Sequence, residues 1–429
     1  MKSIRTKGIG CRAVGCWMLI AGMTGEGWGE DWAQFRGAGG QGRSAATGLP
    51  VTWSDTENVA WKVDLPGPGT SSPVVWKDRI YLTCQTGFGD GSGGELSDLK
   101  RHVLCFALKD GALIWNTAVP AEMPEQERIR EDHGYASSTL AVDADRLYAF
   151  FGRAGVLAFD HAGKQLWKTN VGTGLNGWGS AASPVLYRDW VIVNASVESE
   201  SVVALDKKSG REAWRTSGIK ESWHTPVVAE NAGKPELIMA MIQKVKGLDP
   251  ATGKELWECE TGIPWYMCPT PAVEGNMTYI IGGRGGNGLA IRLGGRGEVT
   301  DSHVAYKLNK GSNVSSAIYH HGFLFYANDS QGIAYCADAK TGAIRYEERF
   351  SPELEQIYAS PILAEGRIYY LGRGGRVAVV AAIPEFKVLG TSTLENNRGM
   401  FNASPAVGGN RLLLRSNKML YCLEAGAKD

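Results

Sequence analysis

Ten side chains in six short, irregular stretches have the chemistry of a recognition surface: His133, Tyr135, Trp178, Trp223, His224, Trp265, Tyr266, Tyr358, Arg398 and Phe401. They fall in EDHGYASST (131–139), GLNGWGSAASP (174–184), ESWHTP (221–226), PWYMCPTP (264–271), EQIYASP (355–361) and ENNRGMFNASP (395–405), with NKGSNVSSA (309–317) as a polar companion. Rings interleaved with a few polar groups make a wall suited to a planar ring, a sugar or a peptide. The competing use of the same rings is to stack on one another and fill the space they share.

Catalysis asks for more. His133 and His224 are suited to proton transfer or to a shared metal, yet a metal needs a third converging ligand, and the cysteine spacings match no zinc site. Neither a Gly-x-Ser-x-Gly elbow nor a Gly-x-x-x-x-Gly-Lys-Ser/Thr phosphate loop occurs. Calcium ligation by Asp132, Asn176 or Glu221 has no motif behind it, so no catalytic or metal residue is assigned. Glycine-flanked Arg153, Arg284 and Arg373 are candidates for an anion, with solvated turn arginines as the plainer reading.

These stretches must be positioned by a repeat. A Ser or Thr, usually followed by Pro, recurs at Ser72, Ser138, Ser183, Thr225, Thr270, Ser316, Ser360 and Ser404. After one expanded first interval the spacing stays near the roughly 40 to 50 residues of a four-stranded propeller blade. Each unit reads as three short apolar strands, a turn and a fourth strand. The turn recurs as Asp206-Lys-Lys-Ser-Gly210, Asp249-Pro-Ala-Thr-Gly253 and Asp338-Ala-Lys-Thr-Gly342, where Asp bonds its own backbone and Gly accepts a positive φ.

An aromatic ring follows the turn at Trp115, Trp167, Trp214, Trp257 and Tyr346, with Tyr306 in the fifth unit and only Val388 and Leu389 in the seventh. One large ring per unit at one slot is a wedge between blades, not a ligand contact. The last unit has three strands before the chain ends. Its fourth, with Trp61 in the aromatic slot, is Asn58 to Leu65. The predicted fold is therefore all-β: a single eight-bladed propeller of four-stranded antiparallel blades over 30–429, closed by pairing the N-terminal strand with the last blade. In that geometry the connections between blades converge on one mouth of the central channel, which gathers the ten candidates.

Residues 1–29 read as a signal peptide: Lys2, Arg5, Lys7 and Arg12 precede an apolar stretch too short to span a bilayer, followed by small residues. Export to the periplasm or medium is the expectation, without lipidation, since Cys11 and Cys16 lie before or within that stretch. In such a compartment disulfides persist. Cys84 with Cys105 and Cys259 with Cys268 are the pairs adjacency allows, and no pairing follows from sequence alone. Cys336 and Cys422 read as small core residues in the slot of Ala107, Ala158 and Ala204. The insertions 85–102 and 121–132 extend the same mouth, the second read as a short helix. With 45 basic and 45 acidic residues, no net field recommends nucleic acid.

The repeats, above all ALDKKSGREAW and GLDPATGKELW, resemble those of pyrroloquinoline-quinone-type (PQQ-like) propellers over nearly all of the chain after residue 29. That family includes periplasmic quinoprotein alcohol dehydrogenases and the cofactor-free outer-membrane assembly lipoprotein BamB. DWAQFRGAGGQGRS further resembles the start of exported PQQ-like propellers of planctomycete-type bacteria. The resemblance implies either a quinone- and calcium-dependent dehydrogenase or a non-catalytic envelope protein. The dehydrogenases carry an adjacent Cys-Cys pair beside the quinone, which this chain lacks. The expectation is thus a monomeric binding or scaffold protein without cofactor, taking an envelope protein, polysaccharide or small ligand at the aromatic mouth. A PQQ-dependent dehydrogenase acting on alcohols or sugars is the alternative.

Overall fold

The structure, a computed structural model, describes residues 31–396 and 399–428. The proposed signal peptide and Arg398 lie outside the described residues. Eight antiparallel sheets are arranged in sequence order, with blade 1 at 74–120 and blade 8 closing the circle. Closure is as the repeat demands. Glu57–Asp64 pairs with Met419–Lys428, and Trp61 sits opposite Cys422. Pairing the chain's two ends leaves no open edge between first and last blade.

Continuous apolar runs on the inner strands of each blade bury both faces of the sheet, so the core is a series of clusters between neighbouring blades. The wedge aromatics lie where those clusters meet the turns. Five of the rings are stacked on the turn glycine of the following blade: Trp61 on Gly111, Trp115 on Gly163, Trp167 on Gly210, Trp214 on Gly253 and Tyr306 on Gly342, while Trp257 lies over Gly247 of its own blade. A methyl carbon placed on Gly210 would lie 2.7 Å from the Trp167 ring, and φ there is 72°. Glycine is thus required twice over at that turn, by backbone and by contact. Blade 7 lacks its own aromatic; Trp53 from the N-terminal segment is buried in the adjoining cluster, its backbone N–H donating to Ser392 Oγ at 2.8 Å.

Across the strand from each ring the residue is small: Cys105, Ala158, Ala204, Ala290, Cys336 and Cys422. In blade 1 this slot belongs to Cys105, not Ala107. The described cysteines are free. Cys84 faces His102 and Cys105 faces Tyr81 on the paired strand, an odd offset that turns the two thiols to opposite faces of the sheet. Cys259 packs between blades 4 and 5, whereas Cys268 lines the channel mouth. The segment 121–132 is irregular where a helix was expected. Glu125 within it is drawn into a buried bidentate pair with Arg101, at 2.8 and 2.9 Å, which ties the loop to blade 1.

Around the channel the Ser/Thr markers form a belt. Backbone N–H groups donate to the hydroxyl one blade on, from Ser72 to Thr139, Thr139 to Ser183, Ser183 to Thr225, Thr270 to Ser316, Ser316 to Ser360, Ser360 to Ser404 and Ser404 to Ser72. In blade 2 the belt residue is Thr139, one beyond the sequence marker Ser138. Below the belt, residues 31–44 cross the channel. Trp32 bridges Val75, Val142 N–H donates to Ala33 O, Val273 N–H to Gln41 Oε1, and Arg43–Ser44 runs parallel to Ile362–Ala364. Arg36, 2% exposed, donates to the carbonyls of Gly40, Gln41 and Ala317. One end of the channel is thereby closed.

Candidate functional site

The open end is a well of about 180 Å³, walled by residues of the blade-to-blade connections and floored by Phe35 of the crossing segment and Thr225 of the belt. Of the sequence candidates, His133, Trp178, Trp223, Tyr266 and Tyr358 line it together. Their rings touch in a chain, His133 to Trp178 at 5.8 Å, Trp178 to Tyr266 at 5.9 Å and Tyr266 to Trp223 at 5.8 Å, with interplanar angles of 66°, 46° and 74°. Rings set at such angles make a curved wall, so they neither fill the mouth nor form a parallel slot. Trp223 is fixed by its indole N–H donating to Gly179 O at 2.8 Å.

The remaining candidates lie elsewhere. His224 is fully buried, with Ala240 N–H donating to its Nε2 and its Nδ1 bonded to Thr225 O, both at 2.8 Å. Burial pulls its pKa down to about 4. Phe401 is a core ring against Tyr421. Tyr135 is buried beside Phe88, its hydroxyl donating to Gln126 O. Trp265 is 42% exposed and packs under Arg284 outside the well. None of these four reaches the cavity.

Polar groups that sequence reasoning passed over complete the wall: Thr70, Ser137, Asn313 and Asn402. Thr70 and Ser137 hydroxyls donate to His133 O, holding that loop. Asn313 Nδ2 donates to Tyr266 OH at 3.4 Å and Asn402 Nδ2 to Asp132 O at 2.8 Å, while the Oδ1 atom of each has no partner. Asn402 follows Phe401 and Asn313 lies in the polar stretch, so connection position was the available signal. Burial holds His133 below the usual imidazole range and pushes the Cys268 thiol up to about 12. Neither is poised as a nucleophile or a charged acid at neutral pH.

Three arginines ring the mouth, each stacked on an aromatic: Arg130 on Trp178 at 4.4 Å, Arg373 on Tyr358 at 4.4 Å and Arg284 near Tyr266 at 5.6 Å. Arg373 is committed to Asp132 and, at 2.6 Å, to Gln356 Oε1. Arg153, the other glycine-flanked arginine, donates to Glu122 O and Thr173 O.

Quinone with calcium would need converging acidic donors. Among the described residues no group of three or more His, Cys, Asp or Glu side chains could hold a metal ion. Asp132 is paired to Arg373, and Asp329 accepts the Asn313 backbone N–H. Cys268 is the one cysteine on the wall. The residues present do not fit that group.

A second, smaller pocket between blades 2 and 3 contains Glu198, 4% exposed, with Oε1 accepting from Ser180 Oγ and Oε2 unpartnered. Burial raises its pKa to about 7. Its backbone carbonyl accepts from Gly174 N–H, so this residue fastens both ends of the loop that carries Trp178.

A family model described as outer membrane protein assembly factor BamB matches residues 99–346, more than half of the chain. No curated protein matches it in sequence. Among solved structures, BamB from Moraxella catarrhalis aligns at 15% identity and a TM-score of 0.61, covering 86% of this chain and 97% of that one. A quinohemoprotein alcohol dehydrogenase from Pseudomonas putida HK5 aligns at 12% and 0.65, covering 93% and 81%. A europium-containing methanol dehydrogenase aligns at 12% and 0.64, covering 92% and 98%. At these identities the likeness is one of fold.

Proposed function

The chain belongs to the family of BamB-type, PQQ-like repeat propellers, and from that premise we propose that it is a non-catalytic binding protein of the cell envelope, its ligand face the aromatic well. One observation carries this reading: five aromatic or imidazole side chains from five separate connections build one concave wall, open at a single end. A scaffold that needed only closure would have no use for rings held at the surface of a cavity by hydrogen bonds behind them. Export follows from the charged and apolar pattern of residues 1–29, and the BamB resemblance supports an envelope location. Among the described residues no helix is long and apolar enough to cross a membrane.

A thermal-shift screen of envelope peptides, oligosaccharides and small aromatics, run on the full chain and on Trp178→Ala, tests the proposal. Ligands whose stabilisation disappears in the variant support it; ligands that stabilise both proteins equally place binding elsewhere and overturn it. Mixing the protein with pyrroloquinoline quinone and calcium tests the dehydrogenase alternative. A shifted absorption band together with dye reduction by alcohols or sugars would displace the binding-protein reading.

A further inference from the structure

Resting on the well as a binding site, we infer that its ligand is an acidic sugar, stacked on the ring wall and paired through its carboxylate with Arg130 and Arg284 at the rim. The angles between rings come first. A flat aromatic ligand is best held between parallel plates, whereas rings set at 46° to 74° form a bowl. A puckered pyranose suits a bowl, laying its C–H face on one ring and directing its hydroxyls to the neighbouring walls. Thr70, Ser137, Asn313 and Asn402 put polar groups on the wall between the rings, where sugar hydroxyls find partners.

The charge comes from the rim. Arg130 is stacked on Trp178, and Arg284 lies between Trp265 and the wall ring Tyr266, which touches Trp178, so the two guanidinium groups sit outside the lining beside one part of the mouth. Arg284 donates through Nε to Tyr266 OH at 3.3 Å. Arg130 approaches Asp132 no closer than 3.8 Å, through Nε. The Nη groups of both have no partner among the described residues. Asp132, the one carboxylate on the wall, is turned to Arg373. Two guanidinium groups engaged only through Nε, beside a cavity whose one carboxylate is already held by Arg373, favour a carboxylate, which the Nη groups bind through paired hydrogen bonds.

The test measures tryptophan fluorescence and calorimetric binding of the full chain with trigalacturonate and trimannuronate, against neutral galactotriose and mannotriose. We expect at least one acid to bind about tenfold or more tightly than its neutral counterpart at low salt, with the preference shrinking as salt rises. Arg284→Gln alters an exposed side chain and should remove most of that preference, read as the ratio of acid to neutral affinity; Trp178→Ala should weaken both. Equal binding of acid and neutral sugars, or a preference that survives the double substitution of Arg130 and Arg284 by Gln, overturns the inference. Where neutral sugars still depend on Trp178, the binding-site reading stands without it. Absence of any saccharide binding overturns the inference, and a peptide or quinone held in a Trp178-dependent way does so while naming the replacement.

Discussion

At the scale of single residues, adjacent side chains divide between cavity and core. Trp223 faces the well and His224 the blade interior; Tyr266 faces in and Trp265 out; Asn402 lines the wall and Phe401 the core. Neighbours in extended chain point to opposite sides. Connection position alone, which is what sequence shows, finds the segment but not the member of each pair.

Two buried titrating groups set a test at this scale. The His224 pKa is depressed in the fold, so its contribution to stability is lost as pH falls from its unfolded value near 6.5 towards 4. The Glu198 pKa is raised, so its contribution is present at low pH and is lost as pH rises from near 4.5 through 7. The two slopes oppose each other over the same window. Glu198→Gln removes one of them. At pH 8 the variant should be more stable than the parent by about 2 kcal/mol, and on acidification to pH 4.5 it should lose on the order of 3 kcal/mol that the parent retains. Urea midpoints at the two pH values decide this, and a variant curve parallel to the parent's would rule out the buried carboxylate.

At the scale of elements, the fold was legible because two signals repeat in step: the hydroxyl before the first strand and the ring after the turn. Their joint function is visible only across blades, where the ring of one unit rests on the turn glycine of the next. Gly210→Ala should therefore cost about 2–4 kcal/mol, combining strain at positive φ with collision against Trp167. Gly409→Ala is the control: φ is 63° and nothing lies within 4 Å of the added methyl, so only about 1 kcal/mol should be lost. Equal losses in chemical denaturation would show that contact with the ring contributes nothing. Elements outside the repeat were not legible. The channel-crossing segment 31–44 has no periodicity, and its anchor, a buried arginine bonded to two local carbonyls and to Ala317 O, depends in part on a residue 281 positions away. The burial of Trp53 in the cluster beside blade 7, and the Arg101–Glu125 pair that ties 121–132 to blade 1, are contacts of the same non-local kind.

For the whole molecule, closure is the feature on which the geometry of the mouth depends. Trp61 is 9% exposed, lies in the largest apolar cluster and donates its indole N–H to Leu108 O at 3.1 Å, so it joins blade 8 to blade 1. Trp61→Ala should lower stability by about 3–5 kcal/mol. It should also abolish ligand-dependent changes in Trp178 fluorescence at temperatures where the parent still binds, because the connections converge only while the ring of blades is shut. Retained binding in a destabilised variant would show instead that the mouth holds its shape with the seam loosened.

The crossing segment gives the molecule a direction. A barrel open at both ends would exchange with solvent from two sides, but a tunnel sealed by its own leading residues has one doorway. Any guest must depart by the path it took in, and a macromolecule resting on that rim would lock the guest inside until it withdrew.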